Sequence, residues 1–88
     1  MLPVIAVIAY GDQTRSAGAP YNLGSCYGNG KSPRDEASCA AFASKIQSYC
    51  NVNDPECCLG SDPNEHFVYP AQYDGQATGF VVDRYHAS

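Results

Sequence analysis

Five cysteines in 88 residues, three of them in the stretch CNVNDPECC from Cys50 to Cys58, constrain this chain more than any other feature of its sequence. That density is ordinary where disulfides persist and unusual where thiols are kept reduced, so the chain is expected in an oxidising compartment. Cys50 and Cys57 stand close enough to close a tight loop with Asp54 inside it. Adjacent Cys57 and Cys58 cannot both point the same way, so Cys58 is expected to pair elsewhere, with Cys26 in the first long loop the favoured partner. Two such bridges would fix the loop around Asp54 at about 2–4 kcal/mol each if unstrained. An acid that must orient a histidine needs a rigid backbone, and a disulfide supplies rigidity where no helix or strand does. Five is also odd, which leaves one cysteine as a free thiol or with a partner outside the chain.

A chain of 88 residues is at most one small domain with a modest core. Apolar residues at 44% and charged residues at 16% are too apolar for a disordered segment, and the Gly and Pro interruptions exclude a helical bundle. The net charge of -4 comes from scattered acids with no basic run, so a nucleic-acid partner is not expected. The apolar run LPVIAVIAY lacks a basic flank and is far shorter than a membrane span, which argues against both a signal peptide and a membrane partner. Secreted chemistry without a leader, and Met1 at the head of a buried strand, give the expectation of one part of a longer secreted protein.

Val4 to Tyr10 is a β-branched apolar run ending at Gly11-Asp12, the pattern of a strand buried on both faces of a parallel sheet. Residues 11–33 have no periodicity and form a long excursion. Asp35 to Tyr49 has helical propensity through Ala37, Ala40, Ala41, Ala43 and Lys45, but the alternation from Lys45 to Cys50 fits a short strand equally well. Asn51 to Pro63 is a second turn-rich loop. Ala71 to Tyr85 is a helix with an apolar stripe at Ala77, Phe80, Val81 and Tyr85, weakened at Gly75 and Gly79. This βαβα order predicts an α/β fold, one flank of a doubly wound parallel sheet incomplete in these residues, with residues 1–88 all part of one domain.

Asp54 in the second turn-rich loop, followed by His66 just before the last helix, is the chain order of the acid and base in an α/β-hydrolase triad. Further motifs narrow this. Cys50-x3-Asp54-x2-Cys57 is followed directly by Cys58, and His66 by Tyr69 and Tyr73-x-Gly75. Upstream stand Ile8-Ala9-Tyr10-Gly11-Asp12, Ala17-Gly18, Tyr21, Gly24-x-Cys26, Ser38-Cys39 and Lys45-Ile46-x-Ser48-Tyr49-Cys50. On these residues, which span nearly the whole chain, the sequence resembles the C-terminal part of the fungal cutinase and acetylxylan esterase family. These are small secreted serine esterases of α/β-hydrolase fold. Cys58 is similar to the acetylxylan esterase branch in particular, while Gln13 departs from the proline usual after Gly-Asp.

The resemblance implies a strand directly before Asp54's loop, bridges Cys50–Cys57 and Cys26–Cys58, and a partner for Cys39 in the missing part. It implies Asp54 and His66 as catalytic residues on an ester substrate such as acetylated xylan or cutin. Tyr69 would either line the pocket or pack in the interior. The family's nucleophile sits in a Gly-x-Ser-x-Gly turn, and no serine here has glycine on both sides at that spacing: Ser32 has Gly30 but Arg34, and Ser25 has Leu23 and Tyr27. The chain alone is therefore expected to lack appreciable esterase activity and to need the missing N-terminal part of the domain as its partner.

Two other classes compete. A small disulfide-rich secreted binding protein would use Cys39 as an intermolecular bridge. A metal site from Cys57, Cys58 and His66, with Cys50, matches no zinc-binding spacing, so neither a metal nor another cofactor is expected. The GNGKS stretch at Gly28 to Ser32 resembles the end of a phosphate loop, but Ser25 stands in place of the first glycine, and a polar turn is expected instead.

Overall fold

A computed structural model describes residues 4–87; Met1, taken above as the head of the first strand, lies outside them. Among the described residues three strands form one parallel sheet: β1 at Val7–Tyr10, β2 at Asn22–Leu23 and β3 at Ile46–Tyr49, in the order β1-β3-β2. Val7 pairs with Ile46 through to Tyr10 with Tyr49, and Asn22 and Leu23 pair with Ser48 and Tyr49 on the other side of β3. One α-helix, α1 at Tyr69–Ala87, packs on the sheet. This is a partial α/β fold.

β1 forms where the β-branched run ends, but it is not buried on both faces. Val7 is 41% exposed, because β3 is the sole strand beside β1 among the described residues. β2 lies inside the stretch expected to be irregular. Its two residues show no hydrophobic pattern, and backbone bonds to β3 hold it in place, from Ser48 N–H to Tyr21 O at 3.0 Å and from Cys50 N–H to Leu23 O at 2.9 Å. Gly24 then turns with φ +98, where a side chain would strike the Cys50 backbone.

The helical expectation for Asp35 to Tyr49 gives way in two places. Glu36–Lys45 winds as 3₁₀ turns rather than an α-helix, with Asp35 accepting the Ala37 N–H at 3.0 Å. Most of this alanine-rich segment is exposed, so no apolar face rewards a regular helix. From Ile46 the chain is extended, because Ser48 and Tyr49 are buried in the sheet. Tertiary context thus overrides propensity at that boundary.

The final helix starts at Tyr69, ahead of the Ala71 expected. Tyr69 and Ala77 are its buried residues, while Val81 and Tyr85 of the expected stripe are exposed. The main core gathers Tyr49, Tyr69 and Ala77 with Ile8, Tyr10, Leu23 and Tyr73. Tyr10 stacks on Tyr69 at 5.7 Å and Tyr73 tilts against Tyr49 at 4.6 Å. A core of tyrosines must pair its hydroxyls. Tyr10 donates to Asp74, Tyr49 to Gln47 and Tyr73 to Asn51, and the Tyr69 hydroxyl leads into the candidate site.

Candidate functional site

The loop after β3 is tied twice, by Cys50–Cys57 within it and by Cys26–Cys58 to the first loop. Inside the smaller ring the backbone curls back on itself. Asp54 N–H donates to Asn51 O at 3.0 Å, and Asp54 O accepts from Cys58 and Gly60 at 3.1 and 3.0 Å. Arg15, itself buried, braces the first loop by donating to the carbonyls of Gly28 and Cys26 at 2.9 and 2.8 Å. The Asp54 side chain is fully buried at 0% exposure.

Each oxygen of that carboxylate is met by donors. Oδ1 accepts the Glu56 N–H at 2.8 Å and the Cys57 N–H at 3.4 Å. Oδ2 accepts the Tyr69 hydroxyl at 2.5 Å and faces His66 Nδ1 at 2.9 Å. Burial pushes the Asp54 pKa up, but the bonds from Tyr69, His66 and the two backbone amides outweigh it and hold the carboxyl below its ordinary value. The same bond works in reverse on Tyr69, whose own pKa is raised by burial and by donating to a carboxylate.

His66 sits in the 3₁₀ turn Pro63–Phe67, which starts with Pro63 and is capped by Asp62 accepting the Asn64 N–H at 3.0 Å. In a neutral ring, donation of Nδ1–H to Asp54 leaves Nε2 as the acceptor. No described residue hydrogen-bonds Nε2, and the side chain is 32% exposed. Glycine at position 11 makes room for this pair. Gly11 has φ +67, and a Cβ there would lie 2.6 Å from His66 Nδ1 and Cε1 and 2.9 Å from Asp54 Oδ2.

Asn51 links the loop to the helical side. Its backbone N–H donates to the Tyr69 hydroxyl at 3.0 Å, and its Nδ2 to Glu65 and Gln72 at 2.9 and 2.8 Å. The structure therefore brings His66 and Tyr69 onto Asp54, which the bridged loop holds. Tyr69 is fully buried with its hydroxyl on the carboxylate, rather than in the wall of a pocket. Gly11, Asn51 and this role of Tyr69 escape a reading of the sequence. The one available signal is that a buried tyrosine needs a polar partner for its tip.

The competing sites do not assemble. Among the described residues the one group of three metal-type donors is Cys26, Cys50 and Cys58, and all three sulfurs are tied in disulfides. In the GNGKS stretch the Gly30, Lys31 and Ser32 N–H groups donate to the carbonyls of Arg15, Glu56 and Gln13, so they do not cradle a phosphate. Cys39 is a free cysteine, half-buried. No helix among the described residues is long and apolar enough to cross a membrane.

Residues 2–85 match the family model for cutinase. The chain is 44% identical over 78 residues to the acetylxylan esterase of Hypocrea jecorina, covering 89% of this chain and 26% of that one. It is 40% identical over 81 residues to acetylxylan esterase 2 of Talaromyces purpureogenus, covering 92% of this chain and 35% of that one. Among solved structures, the catalytic core domain of the acetyl xylan esterase from Trichoderma reesei matches with a TM-score of 0.84 and 42% identity, over 90% of this chain and 38% of that domain. The chain thus spans between a quarter and two fifths of the relatives it matches.

Proposed function

The chain belongs to the cutinase family, and we propose that it is the C-terminal portion of a secreted serine carboxylic-ester hydrolase, with Asp54 as triad acid and His66 as triad base. One observation carries this: a fully buried carboxylate held on His66 Nδ1 at 2.9 Å, with no described residue bonded to Nε2. That geometry suits acyl transfer. A serine hydroxyl attacks the ester carbonyl, His66 Nε2 takes its proton and then returns it to the leaving alcohol, and Asp54 holds the tautomer and stabilises the imidazolium. The nucleophile lies outside these 88 residues, in keeping with the lack of any Gly-x-Ser-x-Gly turn. By itself the chain is inactive. The two bridges fit an extracellular setting, and the names of the relatives favour acetylated xylan over cutin as substrate.

The test is hydrolysis of p-nitrophenyl acetate by the chain alone and after co-refolding with the segment of the Hypocrea jecorina acetylxylan esterase that lies outside the match. Activity is expected only in the reconstituted sample, and is lost with His66→Ala. A folded complex without activity, or activity indifferent to His66→Ala, overturns the assignment.

A further inference from the structure

We propose that Asn51 is a positioning residue for the proposed reaction: its side chain ties the turn that carries His66 to the loop that carries Asp54, and so fixes the imidazole on its carboxylate. Asn51 directly follows Cys50 and is buried, at 4% exposure. Each hydrogen-bonding group of its amide meets a different residue. Nδ2 donates to Glu65 Oε1 at 2.9 Å, in the 3₁₀ turn Pro63–Phe67, and to Gln72 Oε1 at 2.8 Å, in α1. Oδ1 accepts the Tyr73 hydroxyl at 2.6 Å. The main chain of the same residue serves the acid. Its carbonyl accepts the Asp54 N–H at 3.0 Å, and its N–H meets the Tyr69 hydroxyl that donates to Asp54 Oδ2. One residue thus holds both members of the acid–base pair, the acid through its backbone and the base through its side chain.

The position calls for an amide. A carboxylate such as Glu65 can only accept, so it needs the Nδ2 side, whereas the Tyr73 hydroxyl donates to the Oδ1 side. A leucine offers neither group, and an aspartate sets a second carboxylate against Glu65. Glu65 immediately precedes His66, and the turn they share has no buried residue of its own, so packing alone does not anchor it. The Asp62 N–H bond to Asn53 O at 3.1 Å fixes the start of the turn, and the Asn51–Glu65 bond fixes it beside the histidine. The effect on proton transfer rests on the proposed function, whereas the placing of the ring does not.

The experiment follows the His66 ring by nitrogen NMR of the isotopically labelled histidines, in the chain alone and co-refolded with the same Hypocrea jecorina segment. His86, near the end of α1, is the internal reference. The unsubstituted chain is expected to show Nδ1 protonated and its proton slow to exchange with water. Asn51→Ala, and Glu65→Ala from the other side of the bond, are each expected to speed that exchange by about tenfold or more, since a charge-assisted bond is lost. Glu65→Gln keeps an acceptor and is expected to stay near the unsubstituted rate. In an active co-refolded sample the two alanine variants are expected to lower kcat by about tenfold or more with KM little changed. Where Asn51→Ala does not fold, the Glu65 pair decides. Exchange unchanged in the alanine variants, or Glu65→Gln behaving as Glu65→Ala, overturns the proposal. So does exchange that rises equally at the backbone amides of β1 and β3, which marks a general loosening rather than a displaced ring. The expected ring behaviour in a folded complex without ester hydrolysis leaves the positioning role standing and removes the proposed function.

Discussion

Replacing Tyr69 by Phe removes one oxygen that serves two groups at once. The hydroxyl donates to Asp54 Oδ2 at 2.5 Å and accepts from Asn51 N–H at 3.0 Å, and both Tyr69 and Asp54 are fully buried. A hydrogen bond to a charged group contributes about 1.5–3 kcal/mol, and a buried N–H left without its acceptor costs about 1–3 kcal/mol more. Some of the second cost relaxes, so the expected loss at neutral pH is about 2–4 kcal/mol. The ring itself stays, along with its stacking on Tyr10. Urea denaturation with the disulfides intact measures the loss, provided the unfolding slope is unchanged.

The pH dependence separates this account from a plain packing defect. Asp54 has a depressed pKa in the folded chain, so it stabilises above its unfolded value of about 3.9, and that contribution disappears as pH falls through the folded value. Tyr69→Phe brings the folded pKa back up. The stability difference between the two proteins should therefore be largest near neutrality and should shrink below about pH 4, where the protonated acid no longer needs a charge-assisted donor. A loss below about 0.5 kcal/mol at pH 7, within the range of an inconsequential surface change, refutes the reasoning. So does a loss of the same size at neutral and at acid pH.

Two further expectations follow from the geometry. Gly11→Ala sets a methyl 2.6 Å from the His66 ring on a backbone with φ +67; it is expected to cost about 1–3 kcal/mol and to move the His66 ring resonances in an NMR spectrum, and unchanged resonances would show that the strand end does not position the histidine. The bridges close loops with sequence separations of 7 and 32 residues. Loop-closure entropy then predicts losses of about 2.5 kcal/mol for Cys50→Ser/Cys57→Ser and about 3.7 kcal/mol for Cys26→Ser/Cys58→Ser, and a reversed ranking in urea denaturation would mean that order around buried Asp54, rather than chain entropy, is what the small ring contributes.

Much of the site was legible because its parts carry strong local chemistry. The clustered cysteines with an acid between them stand out in the sequence, His66 is singled out by chain order together with the family resemblance, and the β-branched run marks β1. What escaped depends on contacts across the chain. β2 exists because β3 offers it a hydrogen-bonding edge, and nothing in Asn22 and Leu23 signals that. The segment from Glu36 to Lys45 has the propensity of an α-helix but no apolar face to bury, so it winds as 3₁₀ turns. The stripe of α1 misleads for a related reason. Val81 and Tyr85 belong to the expected stripe, yet Val81 lines a groove beside β1 and Tyr85 is exposed, while Tyr69 and Tyr73 pack in the core beside Ala77.

That choice of tyrosine over leucine or phenylalanine links the core to the site. A fully buried carboxylate is costly in any domain, and a domain this small has little surplus stability to offset it. Asp54 is nevertheless kept in its charged form by two backbone amides, a tyrosine and a histidine. The amides come from the loop that the small disulfide closes, so the bridge acts on the carboxylate through the backbone it fixes. The tyrosine comes from α1 and is anchored by stacking on β1, so the hydrophobic core acts on the same carboxylate through a phenol. Stability alone does not call for this arrangement, since an apolar residue at position 54 would avoid the desolvation cost. Orientation of His66 does call for it: a carboxylate gripped by several donors offers Nδ1 a fixed acceptor, and Gly11 just after β1 leaves the ring the room that a side chain there would take. The core, the bridges and the strand end thus converge on the position of a single imidazole, which is what the proposed acyl transfer would need fixed.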